Sequence, residues 1–254
     1  MDIVIIGTGN TATVLGKLFK KAGHSIIQVY GRDMPFAKEL AILIEANAID
    51  TQEKLNMEAD VYLLAVSDSA IEEFGQILKL PGKIIMHCAG AVSKNLLKNV
   101  SSHHAVFYPL QSLKKEMTDF PSVPILIDGS DAHTISILKT LAESISHFVS
   151  EISEQDRMKM HLAAVFVNNF VNHLFTLSED YCRKEAIDFN LLKPLIEESI
   201  SGLKNNSAAD LQTGPAIRND QATIEKHEAL MVNHPELKSV YNIMTKSILE
   251  KYIL

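Results

Sequence analysis

Gly7, Gly9 and Ala12 stand at the spacing Gly-x-Gly-x-x-Ala directly after the apolar run at residues 3–6. That combination can hold a pyrophosphate. Gly7 allows the tight turn out of a strand, Gly9 removes a side chain from the path of a phosphate, and Ala12 lets the following helix pack close to the strand. Thr8, Asn10 and Thr11 complete a loop whose backbone N–H groups open a helix, the place where anions bind. A second signal follows at the end of the next apolar run, Tyr30-Gly31-Arg32-Asp33. An acidic residue about 20 positions past the glycines would bind ribose hydroxyls. Gly31 occupies that place here and Arg32 follows, a pairing that suits the 2′-phosphate of NADP better than NAD. The other reading makes Arg32 a solvated turn residue and Asp33 the ribose ligand.

Two further strand ends carry polar or small residues. Val66, Ser67 and Asp68 close one apolar run, and His87-Cys88-Ala89-Gly90 close another. In an open parallel sheet, ligands bind beyond the carboxyl ends of the strands, so these residues are expected at a cofactor crevice. Ser67 and Asp68 also suit a helix N-terminus. Tyr108 and Gln111 lie after the next strand and could line a pocket. The neighbouring His103 and His104 have no third ligand at a recognisable spacing and point to opposite sides of a strand, so no metal site is expected.

The chemistry on the substrate side falls later in the chain. His161, Asn168 and Asn172 lie within about 20° of one face of a regular helix, with Asn169 beside them. They are either buried groups bonded between helices or a substrate-facing stripe, with His161 as acid or base and an Asn orienting a carbonyl or carboxylate. Lys159 lies about 160° from His161 and cannot share its face. In Thr213-Gly214-Pro215-Ala216-Ile217-Arg218-Asn219-Asp220, a Gly-Pro turn delivers Arg218 just before a helix N-terminus. There it either meets a carboxylate or phosphate or stays solvated while Asp220 caps the helix.

These residues need a frame. Strands are expected at 4–6, 25–30, 48–49, 60–67 and 83–87, with helices at 12–22, 36–46 and 71–78 between them. Further strands fall at 105–110, 123–127 and 147–151, with Asp131 capping a helix to about 146. Alternating strands and helices imply an α/β fold with a doubly wound, mostly parallel sheet. Residues 154–183 contain no Gly or Pro and read as one helix roughly 45 Å long. Helices at 191–205, 220–232 and 235–252 follow. We therefore expect a nucleotide-binding domain at 1–152 and an all-helical domain at 153–254. Phe166, Val167, Phe170, Val171, Leu174 and Phe175 place apolar groups on more than one side of the long helix. A second chain or the first domain would cover them, and a homodimer through the helical domain is the expectation.

The 254 residues include 31 acidic and 24 basic side chains, a net charge of −7, which argues against broad nucleic-acid binding. Two distant cysteines, Cys88 and Cys182, suggest no disulfide framework and a reducing, cytoplasmic compartment. No apolar run approaches a membrane span, and the first strand begins almost at Met1, leaving no room for a signal peptide.

Nearly the whole chain resembles a bacterial family of Rossmann-like proteins with a helical C-terminal domain, catalogued as domain of unknown function 2520. The matching stretches are the Gly-x-Gly loop, residues 59–71, His-Cys-Ala-Gly-Ala at 87–91, Pro-Leu-Gln-Ser at 109–112, the helix from His161 to Asn169, and Thr-Gly-Pro-Ala-Ile-Arg-Asn-Asp at 213–220. The last is the most specific. Wider relatives are pyrroline-5-carboxylate reductases, 6-phosphogluconate and 3-hydroxyacid dehydrogenases, and deazaflavin-dependent NADP reductases. The resemblance implies an NADP-linked oxidoreductase with a helical dimerisation domain, and no particular substrate. The family usually has His where Tyr108 stands, which puts a catalytic role there in doubt, and Gly where Asn219 stands, a residue that still tolerates a left-handed turn.

The leading expectation is hydride transfer between nicotinamide and a small C=O or C=N substrate, with His161, Asn168, Asn169 and Arg218 on the substrate side. The alternatives are a non-catalytic NADP-binding sensor, slightly favoured by Tyr108, and a reductase fed by reduced deazaflavin.

Overall fold

The computed structural model describes residues 1–117 and 122–253. Its contacts divide into two compact units, Met1–Val165 and Phe166–Leu254. The change of sequence texture at 152–153 marks where the helical run begins. The contact boundary falls inside that run, so the first helix of the run packs with the sheet.

In the first unit, eight strands form one sheet in the order β3-β2-β1-β4-β5-β6-β7-β8. They are β1 (Asp2–Ile6), β2 (Ser25–Tyr30), β3 (Asn47–Ile49), β4 (Val61–Leu64), β5 (Ile84–His87), β6 (His103–Pro109), β7 (Ile125–Gly129) and β8 (Val149–Glu151). Every neighbouring pair is parallel except β6 and β7. A parallel return needs a crossover element. No helix lies among the described residues between β6 and β7, and those strands run antiparallel. The helices of this unit are α1 (Asn10–Lys21), α2 (Met34–Ile44), α3 (Asp68–Ile77), α4 (Ala132–Glu143) and α5 (Glu154–Ala164).

Alternation along β1 splits the core. Ile3 and Ile5 join the cluster made with Leu15, Phe19 and Leu40 of α1 and α2, while Val4 and Ile6 face Ile71 and Phe74 of α3. Both faces of the sheet are covered, which explains why its central strands are near-continuous apolar runs. Chain order reverses between β1, which pairs β2, and β4, which lies on its other side. A crevice opens outside the strand ends at such a reversal.

After α5 the helical run continues as a π-helical segment, Val165–Phe170, and the second unit then holds α6 (Val171–Lys184), α7 (Lys193–Gly202), α8 (Gln221–Leu230) and α9 (Pro235–Tyr252). The expected unbroken helix over 154–183 is thus interrupted by one wide turn. The regular 100° count that aligned His161 with Asn168 and Asn172 does not apply across it. Two caps read from sequence are present. The Asp131 carboxylate accepts from the Thr134 N–H at 3.0 Å, and Asp220 accepts from the Thr223 N–H at 3.1 Å. Asn219 adopts φ 50°, the left-handed turn expected of it. Among the described residues, no helix is long and apolar enough to cross a membrane.

Candidate functional site

A cleft of about 560 Å³ opens at the carboxyl ends of β1, β2, β4 and β5. Its floor is the turn from β1 into α1. Gly7 holds φ +121° there, and a Cβ on it would lie 2.2 Å from the Ala65 carbonyl oxygen. No other residue fits where the β1 and β4 ends converge. A Cβ on Gly9 would meet nothing within 4 Å; the space above it is open to the cleft. Gly9 caps α1 without a side-chain hydrogen bond, and no acidic residue occupies the first turn. The first N–H groups of the helix have no intrahelical acceptor, so they and the helix dipole favour an anion at this point.

Gly7, Thr8, Gly9, Asn10 and Thr11 line the cleft, as do Gly31, Arg32, Val66, Ser67 and Asp68. Ala12 does not; it is fully buried in the core, where its small side chain lets α1 approach the sheet. Gly31 is closely packed: a Cβ there would lie 2.6 Å from the Thr8 methyl and 3.2 Å from the Ala37 Cβ, so a larger side chain would have to displace Thr8. Asp33 also reaches the wall, next to Arg32. Among the described residues lining the cleft, Arg32 carries the one positive charge. Its guanidinium is 70% exposed and lies 3.8 Å from Glu73, a loose pair that a phosphate can displace at little cost.

His87 is fully buried behind the cleft rather than on its surface. Its Nδ1 accepts the Ala89 N–H at 3.2 Å. Burial, aided by the positive charge of Arg157, lowers its pKa to about 4, so the imidazole is neutral. The cleft wall beyond β5 is instead Cys88 and Ala89. Desolvation pushes the Cys88 thiol up, which favours its protonated form.

Beyond Ala89 the chain turns through Gly90 into a polar pair. The Tyr108 hydroxyl, at the end of β6, lies 3.0 Å from Nδ1 of His161 on α5, with the two rings edge to face at 5.9 Å. A Cβ on Gly90 would lie 2.7 Å from the Tyr108 ring and 2.8 Å from His161 Nδ1. The pair therefore stands directly against the backbone that continues the cleft wall. Half-buried Tyr108 has its phenol pKa raised by desolvation.

What holds α5 against this wall is Arg157, one turn before His161 and completely buried. Its guanidinium donates to the carbonyls of Gly90 at 3.1 Å and Val92 at 2.7 Å, and pairs with Asp128 of β7 at 3.3 Å. Lys94 also binds Asp128. Sequence reading missed this cluster, although an arginine four residues before His161 on the same helix face was the available signal.

The other candidates fall in different units. His161 belongs to the sheet unit, whereas Asn168, Asn169 and Arg218 belong to the helical unit and are exposed there. Lys159 binds Asp156 at 2.9 Å on the outside of α5. His103 bonds to Asp131 at 2.9 Å, and no group of three or more metal-ligating side chains occurs among the described residues.

The chain matches two family models. One, described as NADP oxidoreductase, coenzyme F420-dependent, covers residues 2–90, and the domain of unknown function 2520 covers residues 123–248. A candidate NADP oxidoreductase from Bacteroides fragilis superposes with TM-score 0.91 at 34% identity, with 98% of each chain covered. A protein from Thermotoga maritima gives TM-score 0.80 at 23% identity over 98% of each chain. An imine reductase from Myxococcus stipitatus in complex with NADP+ gives TM-score 0.69 at 15% identity over 100% of each; at those two identities the likeness is one of fold. No curated protein matches the chain.

Proposed function

Since the chain belongs to the family that joins an NADP-oxidoreductase-type nucleotide-binding region to the domain of unknown function 2520, we propose that it is an NADP-dependent oxidoreductase acting on a small C=O or C=N substrate. The observation that carries this reading is the cleft. It combines open space over Gly9, an α1 N-terminus with no side-chain cap or acidic first turn, and Arg32 as the cation at the end of β2. Such a site fits a dinucleotide bearing a 2′-phosphate, with the pyrophosphate on the glycine loop and the 2′-phosphate on Arg32. When bound, the nicotinamide supplies a hydride.

Residues 1–152 hold the cofactor in this reading, and the helical run from 153 onward supplies the substrate side. His161 is the acid or base, Asn168 and Asn169 orient a carbonyl or carboxylate, and Arg218 pairs with an anionic group. Phe166, Val167 and Phe170 are at least half exposed in the single chain, which supports a homodimer through the helical unit. Two unpaired thiols, Cys88 and Cys182, suit a reducing, cytoplasmic compartment.

Calorimetric titration with NADPH and NADH tests the proposal. Arg32→Ala should weaken NADPH about tenfold more than NADH, roughly 1.4 kcal/mol. Equal losses would overturn the phosphate assignment, and failure of the parent protein to bind either cofactor would overturn the function.

A further inference from the structure

We infer that Tyr108 is the proton donor of this site and that His161 recharges it. The inference rests on the oxidoreductase reading and refines it: the acid that meets substrate is Tyr108, and His161 acts through it. It answers the doubt raised over Tyr108: the phenol pairs with the imidazole of His161 on α5.

Three observations carry it. The Tyr108 hydroxyl and His161 Nδ1 are at hydrogen-bonding distance, 3.0 Å. Gly90, next in the chain after the cleft residues Cys88 and Ala89, has no room for even a methyl group between its backbone and the pair. Arg157 fixes α5 to the same loop through the Gly90 and Val92 carbonyls, so the His161 ring is held by a buried anchor one turn away rather than by a surface helix.

With the imidazole neutral, the phenol donates to Nδ1. Protonation of Nδ1 reverses that bond: Nδ1–H donates to the phenol oxygen, and the phenol hydrogen is released to point at substrate. During reduction the substrate carbon accepts the hydride and its π bond opens onto oxygen or nitrogen. That heteroatom takes the Tyr108 proton as the O–H bond breaks. The Nδ1 proton passes to the phenol oxygen, leaving neutral phenol and neutral imidazole, and His161 regains a proton from water. Two electrons and two protons' worth of hydrogen enter the substrate, one as hydride and one through Tyr108. Desolvation of the phenol favours its protonated form, which prevents a phenolate from accumulating between turnovers.

The test uses the full chain with NADPH and two probe substrates, glyoxylate for C=O and 2-methyl-1-pyrroline for C=N. Tyr108→Phe should lower kcat about 100-fold or more, with the NADPH dissociation constant within about twofold of the parent. His161→Gln, which keeps an acceptor beside the phenol but cannot relay a proton, should lower kcat roughly tenfold while KM stays within about twofold. Nitrogen-15 NMR of the cofactor-free protein adds a readout independent of turnover: the His161 Nδ1 signal of the neutral ring should show a hydrogen-bond acceptor that Tyr108→Phe abolishes. Retention of kcat within about threefold in Tyr108→Phe, or an unchanged Nδ1 signal, overturns the assignment. NADPH binding without turnover of either probe also overturns it and leaves the cofactor reading standing, whereas loss of NADPH binding by the parent protein strikes the proposed function itself.

Discussion

Arg157→Met is the sharpest perturbation of the site, because it keeps most of the side-chain volume and deletes only the guanidinium. Arg157 is completely buried, so each group it serves loses its partner in a place water reaches poorly. The Gly90 and Val92 carbonyls, accepting at 3.1 and 2.7 Å, are left without that donor, and an orphaned buried acceptor costs about 1–3 kcal/mol. Asp128 loses the ion pair at 3.3 Å; breaking a buried pair costs about 3–5 kcal/mol when the remaining charge is stranded. Here it is not stranded, since Lys94 stays on Asp128, so the pair contributes at the low end. At about 1–3 kcal/mol for each carbonyl and about 3 for the pair, the expected total is about 5–9 kcal/mol. At about 2–4 °C per kcal/mol for a chain of this size, the melting temperature should fall by roughly 10–36 °C. Thermal unfolding followed by near-ultraviolet circular dichroism, with a parallel urea titration, measures it. NADPH affinity should hold, because the glycine loop and Arg32 are untouched, while kcat should fall because His161 sits one turn along the same helix. A drop in melting temperature of under about 2 °C would show that the buried cluster is not the anchor of α5, and the argument for an organised Tyr108–His161 pair would fail with it.

Two further perturbations test neighbouring claims. His87 has a folded pKa lowered to about 4 from 6.5. The unfolded chain therefore binds a proton that the native protein refuses between those values. Stability should decline as pH falls from 6.5 to 4, by about 3 kcal/mol in total. Urea unfolding at both ends of that window, compared with His87→Gln, should show the extra slope only in the parent; parallel slopes would refute the burial argument. Gly90→Ala places a methyl 2.7 Å from the Tyr108 ring and 2.8 Å from His161 Nδ1. It should cost about 1–3 kcal/mol and erase the Nδ1 hydrogen-bond signature, and full retention of that signature would contradict the close packing.

The glycine loop, the strands and the caps were legible because each is a local decision. Gly7 is dictated by the turn between β1 and α1, Asp131 and Asp220 by the N–H groups three residues on, and Asn219 by a single left-handed backbone angle. Apolar periodicity carried the order of strands and helices, and the sequence placed Arg32 at the end of β2. Position 31 shows the limit of such reading. Sequence suggested a glycine that accommodates cofactor, whereas the folded chain shows it packed against the Thr8 methyl as well.

By itself, then, the sequence determined a dinucleotide-type loop on an α/β sheet followed by helices, since short-range sterics, hydrogen bonding and periodicity suffice for those. Only the tertiary structure decided that His87 turns inward to the core while Cys88 and Ala89 form the wall, and that the helical run is broken by a π segment. It alone paired Tyr108 with a histidine 53 residues away and bound Arg157 to carbonyls more than 60 residues earlier. Side chains so distant in the chain meet only when the sheet order and the path of α5 are set, and no spacing rule encodes the order of eight strands.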